Sequence, residues 1–345
     1  MNNSLKKGSQ SGRCCRCGAA FDHRNARRAV KCTKCQRIFH TKCFLAETGL
    51  SAAVDSHCVV CLCGISQTPY PLTIQQNTLA RKFLRDGFVV VPLTRKPKSK
   101  QTTLEKLATF RANAERYFGA FIRAYENELE ISSKAPSLQS GYSNFRERGK
   151  GRYEVIFPSI REEVLSIIEN CDEVTMTLDL LLAPTGKRGD MQRKLMSCGC
   201  FYSLPGSLRQ DVHTDGPALS TVEDLFPYAI NVFVPLVPLN KTNGTEFFPG
   251  SHRVNYSSKP VSQQRPVTPT VPLGKVLLFD YRVLHRGLGN RLGFHRPCYY
   301  ATYARSWYED KFNFSSTRYR TALHVPSYLL ERRCDREVSK RCKVE

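Results

Sequence analysis

The sequence predicts a mainly β domain with flanking helices, a double-stranded β-helix of the jelly-roll or cupin-like kind, preceded by a small two-zinc finger. Three observations point there. Short β-branched and aromatic runs alternate with Gly and Pro turns in the second half of the chain. Helix-spaced apolar residues come before them, and closely paired cysteines crowd the N-terminal region.

At 345 residues the chain is longer than one core usually organises, so one large and one small domain are expected. With 41% hydrophobic and 24% charged residues it has the composition of a globular chain, and no apolar run is long enough to cross a bilayer. No membrane partner is expected. Residues 1–10 are polar, carry Lys6 and Lys7, and lead into no apolar stretch of the secretory kind. An intracellular location is therefore expected, nuclear in preference to cytoplasmic. Nine of the fifteen cysteines lie between Cys14 and Cys63 at metal-ligand spacing, which reads as metal binding and not as disulfides. A net charge of +22 favours polyanionic partners such as nucleic acid, acidic chromatin surfaces or CoA phosphates without choosing among them, and a basic protein that merely stays soluble is the alternative.

The expected organisation is a disordered basic tail over 1–13, the finger over 14–63, a linker over 64–72 containing Ser66, Pro69 and Pro71, and the large domain over 73–335. Residues 73–85 place Ile74, Leu79, Phe83 and Leu84 at helical spacing, Gly87 stops that helix, and residues 88–91 follow as a buried strand. A long helix is predicted over 103–130 and two shorter ones over 162–170 and 174–182. Strands are predicted over 198–203, 228–236, 275–279 and 298–304, separated by Pro205-Gly206, Asn243-Gly244 and Pro249-Gly250.

His213-Thr214-Asp215 followed by His285 has the order of a facial triad, in which two imidazoles and a carboxylate take one face of Fe(II) and leave three positions open. Side chains two apart on a strand end point the same way, so a histidine on a neighbouring strand can close the site. The tripeptide alone is weak, because a single histidine is more often structural. Its neighbours are stronger: CFYSLPGSLRQDVHTDGP before the pair, NGTEFFPGSHR between, and GKVLLFDYRVLHRGLGNRLGFHRPCYYATYARSWY after. With FLRDGFVVVPL at the start of the large domain, these strings resemble the phytanoyl-CoA dioxygenase family over about two-thirds of the chain.

That resemblance implies iron on His213, Asp215 and His285, with 2-oxoglutarate and O2 as cosubstrates and ascorbate as an assisting reductant. It also implies Arg296, eleven residues after the distal histidine, as the anchor of the distal carboxylate of 2-oxoglutarate. A guanidinium fork suits a carboxylate bidentately. Arg286 and Arg291 compete for the role, but Arg286 adjoins a ligand and is expected on the other side of its strand, and Arg291 falls in a turn. Gln210 matches a position common in the family and is expected to line the pocket. Where the family often has a hydroxyl two positions after the distal histidine, this chain has Gly287; Thr302 and Tyr202 are the candidate substitutes, each equally readable as a packed strand residue. Asp215 separates the chain from iron halogenases of this fold, which lack the carboxylate. The implied reaction is decarboxylation of 2-oxoglutarate to succinate coupled to hydroxylation of an unidentified substrate. His252, Cys171, Cys198 and Cys200 read as structural.

In the N-terminal block, Cys14/Cys17, Cys32/Cys35, His40/Cys43 and Cys58/Cys61 supply ligands for two tetrahedral Zn(II) sites. With histidine fifth in order and IFHTKC around it, the block resembles a plant homeodomain (PHD) finger. The resemblance implies Cys14, Cys17, His40 and Cys43 at one zinc and Cys32, Cys35, Cys58 and Cys61 at the other. Cys15 and Cys63 are alternative ligands at the two ends. A RING ubiquitin ligase is the runner-up, and its histidine order does not match. Residues 13–43 hold nine Lys or Arg against one acid, Asp22, so phosphate of nucleic acid or an acidic protein is expected here before a histone tail. A purely structural zinc knot is the alternative. The rival reading for the whole chain is a non-catalytic zinc-finger binding protein on a degenerate oxygenase scaffold.

Overall fold

The computed structural model describes residues 71–93, 99–131, 142–183, 193–254, 256, 264–310, 313 and 322–331. Nearer the N-terminus it describes residues 14, 19, 29–32, 38–40 and 63. In that region β1 (Ala29–Lys31) and β2 (Ile38–His40) pair antiparallel as a short hairpin. The expected tail over 1–13 and almost all of the expected linker lie outside the described residues.

Asn77 splits the helix predicted over 73–85. Its side chain accepts from the Ala80 N–H at 2.8 Å, which caps α2 (Thr78–Asp86) and separates it from α1 (Leu72–Gln76). The buried face of α2 carries Ala80, Phe83 and Leu84. Gly87 ends it in the left-handed region at φ 85°, its N–H donating to Phe83 O at 2.7 Å. A Cβ at Gly87 would fall 2.7 Å from Val283 Cγ2, so the bare backbone also lets α2 approach the turn that delivers His285.

Seven antiparallel strands form the main sheet: β3 (Phe88–Pro92), β4 (Phe145–Gly149), β5 (Arg152–Val155), β6 (Arg193–Ser203), β7 (Ala229–Pro235), β9 (Lys275–Asp280) and β11 (Arg296–Arg305). Their spatial order is β3-β9-β7-β11-β6-β5-β4. A second, two-stranded sheet pairs β8 (Thr245–Phe247) with β10 (His285–Gly287). The result is a mainly β, antiparallel architecture with helices, consistent with the double-stranded β-helix expected.

The large core joins the helical layer to one face of the main sheet. The layer comprises α3 (Ser99–Ile131), α4 (Ile160–Ile168) and α5 (Asp172–Leu182), and short α6 (Ser327–Glu331) is tied to α3 by Arg123, which donates to Leu329 O at 2.6 Å. Phe118 of α3 stacks on Tyr202 of β6 with centroids 3.9 Å apart, and the Tyr299 hydroxyl of β11 donates to Glu163 of α4 at 2.6 Å. Burying one such aromatic side chain contributes roughly 1.5–3 kcal/mol. Every residue of β11 is buried, because helices cover one face and the other lines a cavity. Among the described residues no helix is long and apolar enough to cross a membrane.

Candidate active site

His213 and Asp215 leave the end of a loop, and His285 opens β10. The segments meet in an isolated antiparallel bridge in which His213 and His285 exchange both backbone hydrogen bonds at 2.9 Å. Two residues on, the Asp215 N–H donates to Tyr281 O at 2.9 Å, so both legs of the site are held by main chain. His213 Nε2 lies 3.8 Å from Asp215 Oδ1, His285 Nε2 lies 3.6 Å from Asp215 Oδ2, and the three ligand atoms fall within 4.8 Å of one another.

The tautomers are set by backbone. His213 Nδ1 donates to Asp211 O at 2.8 Å and His285 Nδ1 to Val283 O at 3.0 Å, leaving both Nε2 lone pairs directed at the common point. Burial pushes the His285 imidazole below its ordinary range, which keeps it neutral and able to ligate. Asp215 Oδ2 accepts from Asn231 Nδ2 at 2.6 Å, and Asn231 Oδ1 accepts from Thr302 Oγ1 at 2.6 Å. Two imidazoles with Nδ1 held by main chain and one oriented carboxylate fit a ferrous ion.

These residues line a cavity of about 640 Å³. Phe201, Phe233 and Tyr300 supply an aromatic wall, with Phe201 stacked on Tyr300 at 4.4 Å. Arg296 enters from the first position of β11, 9% exposed. Its Nη2 donates to Ser203 Oγ at 3.0 Å and its Nη1 to Asn243 O. Arg152 of β5, 7% exposed, enters the same cavity. A cavity holding buried guanidinium beside a three-donor metal site fits a dicarboxylate that chelates the metal at one end.

A family model for phytanoyl-CoA dioxygenase (PhyH) matches residues 83–298, well over half of the chain, and spans all three donors and Arg296. The chain belongs to the phytanoyl-CoA dioxygenase family. It is an iron- and 2-oxoglutarate-dependent dioxygenase whose metal ligands are His213, Asp215 and His285. Among solved structures, the chain is similar to the non-heme α-ketoglutarate-dependent epimerase SnoN of nogalamycin biosynthesis, with 16% identity, TM-score 0.45, and coverage of 68% of this chain and 86% of that one. EctD from S. alaskensis with bound Fe gives 18% identity and TM-score 0.44 over 77% and 91% of the two chains. AviO1 from Streptomyces viridochromogenes gives 18% and 0.44 over 70% and 99%. Likenesses at this level add nothing to the family match.

Around the dioxygenase centre, Gln210 lines the cavity and clamps β10: its N–H donates to Gly287 O at 2.9 Å and its Oε1 accepts from the Gly287 N–H at 3.0 Å. Thr302 also lines the cavity, one hydrogen bond removed from Asp215 through Asn231. Tyr202 is not at the site, which corrects its expectation as a cosubstrate contact. Side chains alternate along β6, so Phe201 and Ser203 face the cavity whereas the Tyr202 hydroxyl meets His295 Nδ1 at 2.9 Å among the helices. Arg286 pairs with Glu246 at 2.5 Å, and Arg291 is exposed. His252 is half-buried, with Nε2 against Leu84 O at 3.1 Å.

Three functional neighbours escaped the sequence reading: Arg152, Ser203 and Asn231. Asn231 had a legible signal, being a lone amide inside the apolar run AINVFVP. Of the expected zinc ligands, Cys14 and Cys32 are buried and His40 ends β2, while Cys17, Cys35, Cys43, Cys58 and Cys61 lie outside the described residues. Cys63 sits against the large domain, its carbonyl accepting from Arg305 Nη2 at 2.9 Å.

Proposed function

We propose that the protein hydroxylates a substrate lodged in the 640 Å³ cavity, with the distal carboxylate of 2-oxoglutarate anchored on Arg296. The carrying observation is the convergence of three donor atoms within 4.8 Å in a cavity that also contains buried guanidinium. Bound ferrous iron supplies O2 activation coupled to decarboxylation of 2-oxoglutarate to succinate. Asp215, held by Asn231, keeps the third ligand position filled, which supports hydroxylation over halogenation. Phe201, Phe233 and Tyr300 exclude water from one side and present an apolar surface to the substrate. Gln210 fixes the backbone beyond His285 and so the mouth of the anion site.

The test is succinate release by purified protein with Fe(II), 2-oxoglutarate and ascorbate, screened against acyl-CoAs, small metabolites, nucleobases and peptides. Release above the substrate-free background with one class, lost in His213→Ala, is expected. No turnover with any class together with no iron binding would favour the rival binding-protein reading.

Residues 14–63 are proposed as the two-zinc, PHD-like finger that brings the enzyme to nucleic acid or an acidic protein. The β1–β2 hairpin supports the alternate pairing of ligands, since Cys32 falls at its turn end and His40 at its open end. Cys63 is buried with Arg305 and Arg282 of the large domain as its charged neighbours, which supports Cys61 as the last ligand. Neutralising Arg27, Arg28, Lys31 and Lys34 is expected to reduce salt-sensitive retention on DNA or RNA, and unchanged retention would reject this role.

A further inference from the structure

Arg152, Ser203 and Arg296 stand directly opposite one another on β5, β6 and β11, because Ser203 is the register partner of both arginines. All three side chains therefore rise from one face of the sheet, and all three line the cavity. The two guanidiniums converge further on a single carbonyl: Leu288 O accepts from Arg152 Nη2 and lies 3.5 Å from Arg296 Nη1. Among the described residues Arg152 is otherwise held by main chain alone, its Nε donating to Leu208 O at 2.9 Å and its Nη2 to Gly287 O at 3.3 Å.

Two buried cations this close repel one another, and among the described residues no carboxylate pairs with either. The electrostatic neighbour that acts on Arg152 is Arg296, and burial together with that charge pushes Arg152 down to about 10. Uncompensated charge at such a site is costly and calls for an anion from outside the protein. The backbone makes room for the arrangement. Gly287 carries no side chain where a Cβ would fall 2.9 Å from Arg152 Nη1 and 2.5 Å from Gln210 Oε1.

We propose that Arg152 is a second binding residue for the distal carboxylate of 2-oxoglutarate, donating to it alongside Arg296 with the Ser203 hydroxyl between them. A carboxylate has two oxygens and about four acceptor sites, enough for two guanidiniums and a hydroxyl at once. A monocarboxylic 2-oxo acid of the same chain length keeps the metal-chelating end and loses this contact. The proposal rests on the reading of Arg296 as the carboxylate anchor.

Calorimetric titration of the anaerobic, ferrous-loaded full-length protein with 2-oxoglutarate and with 2-oxopentanoate separates the two. Arg152→Met is expected to weaken 2-oxoglutarate binding roughly 10- to 100-fold, the worth of charge-assisted hydrogen bonds. 2-Oxopentanoate binding stays unchanged, which also reports an intact fold, and Arg152→Lys falls between. Wild-type affinity for 2-oxoglutarate in Arg152→Met overturns the proposal, as does equal loss of both oxo acids. Loss of the preference in Arg296→Met but not in Arg152→Met overturns it while leaving the Arg296 reading intact. Absence of any preference in the unaltered protein overturns both.

Discussion

His213 and His285 are hydrogen-bonded to each other twice through their backbones, at 2.9 Å in each direction, before any metal joins their side chains. Two ligands far apart in sequence are thus fixed as a pair by the main chain, and each ring is fixed again by a carbonyl on its Nδ1. The protein presents the site already shaped, and the residues that hold it shaped become the first places to test.

Asn231 orients Asp215 at 2.6 Å and is itself oriented by Thr302. Removing a group that holds a metal ligand typically lowers metal affinity or activity by about 10- to 100-fold. Asn231→Ala is expected to weaken ferrous binding by that factor with little change in fold, and Thr302→Val to weaken it less. Titration of both variants with Fe(II) under anaerobic conditions gives the comparison.

Gly287→Ala introduces a Cβ 2.5 Å from Gln210 Oε1 and 2.9 Å from Arg152 Nη1. The amide that clamps β10 and the guanidinium beside it must both shift, at a cost of about 1–3 kcal/mol. The expected outcome is a roughly tenfold loss of 2-oxoglutarate affinity, since 1.4 kcal/mol is a factor of ten. Calorimetry and a thermal melt on the same sample distinguish that loss from general destabilisation.

Asp280 and Arg282 form a buried, bidentate pair at 2.8 and 2.7 Å in the turn before His285. Burial alone would raise the Asp280 carboxyl, but the charge and hydrogen bonds of Arg282 outweigh it and hold the group below the usual carboxylate range. A depressed carboxyl contributes stability that is complete above the unfolded value, about 3.9, and is lost as pH falls through the lower folded value. Asp280→Asn is therefore expected to cost about 3–5 kcal/mol at pH 7 in urea denaturation, because it leaves Arg282 buried without its partner. The gap from the unaltered protein narrows as pH drops below about 4. A gap of the same size at both pH values would contradict the assignment.

Tyr202→Phe separates a packed tyrosine from a cosubstrate ligand. Its hydroxyl meets His295 and its ring meets Phe118, both away from the cavity. The expected loss is about 0.5–1.5 kcal/mol of stability by denaturation, with 2-oxoglutarate affinity unaltered.

Much of this arrangement was legible in the amino-acid sequence, and the parts that were not share a physical reason. The apolar strands β3, β7, β9 and β11 and the long helix α3 announce themselves by periodicity, and Gly87 marks its helix end through the αL position it adopts. The β4–β5 hairpin reads FRERG and RYEV, with buried Arg146, Arg152 and Glu154 where a strand normally buries apolar side chains, so no hydrophobic alternation flags it. Arg152 was missed with the hairpin that carries it. β8 and β10 are three residues each, too short for any pattern. Tyr202 was misplaced because alternation says which residues share a face without saying which face the cavity is on. Pairing supplies the answer: Ser203 is the register partner of Arg296, so Ser203 faces inward and Tyr202 does not.

The most direct test of the metal centre is an anaerobic Fe(II) titration of zinc-replete protein in the presence of 2-oxoglutarate. One ferrous equivalent is predicted for the unaltered chain, and none for a variant carrying His213→Ala, Asp215→Ala and His285→Ala together. Undiminished iron uptake by that triple variant would contradict the account.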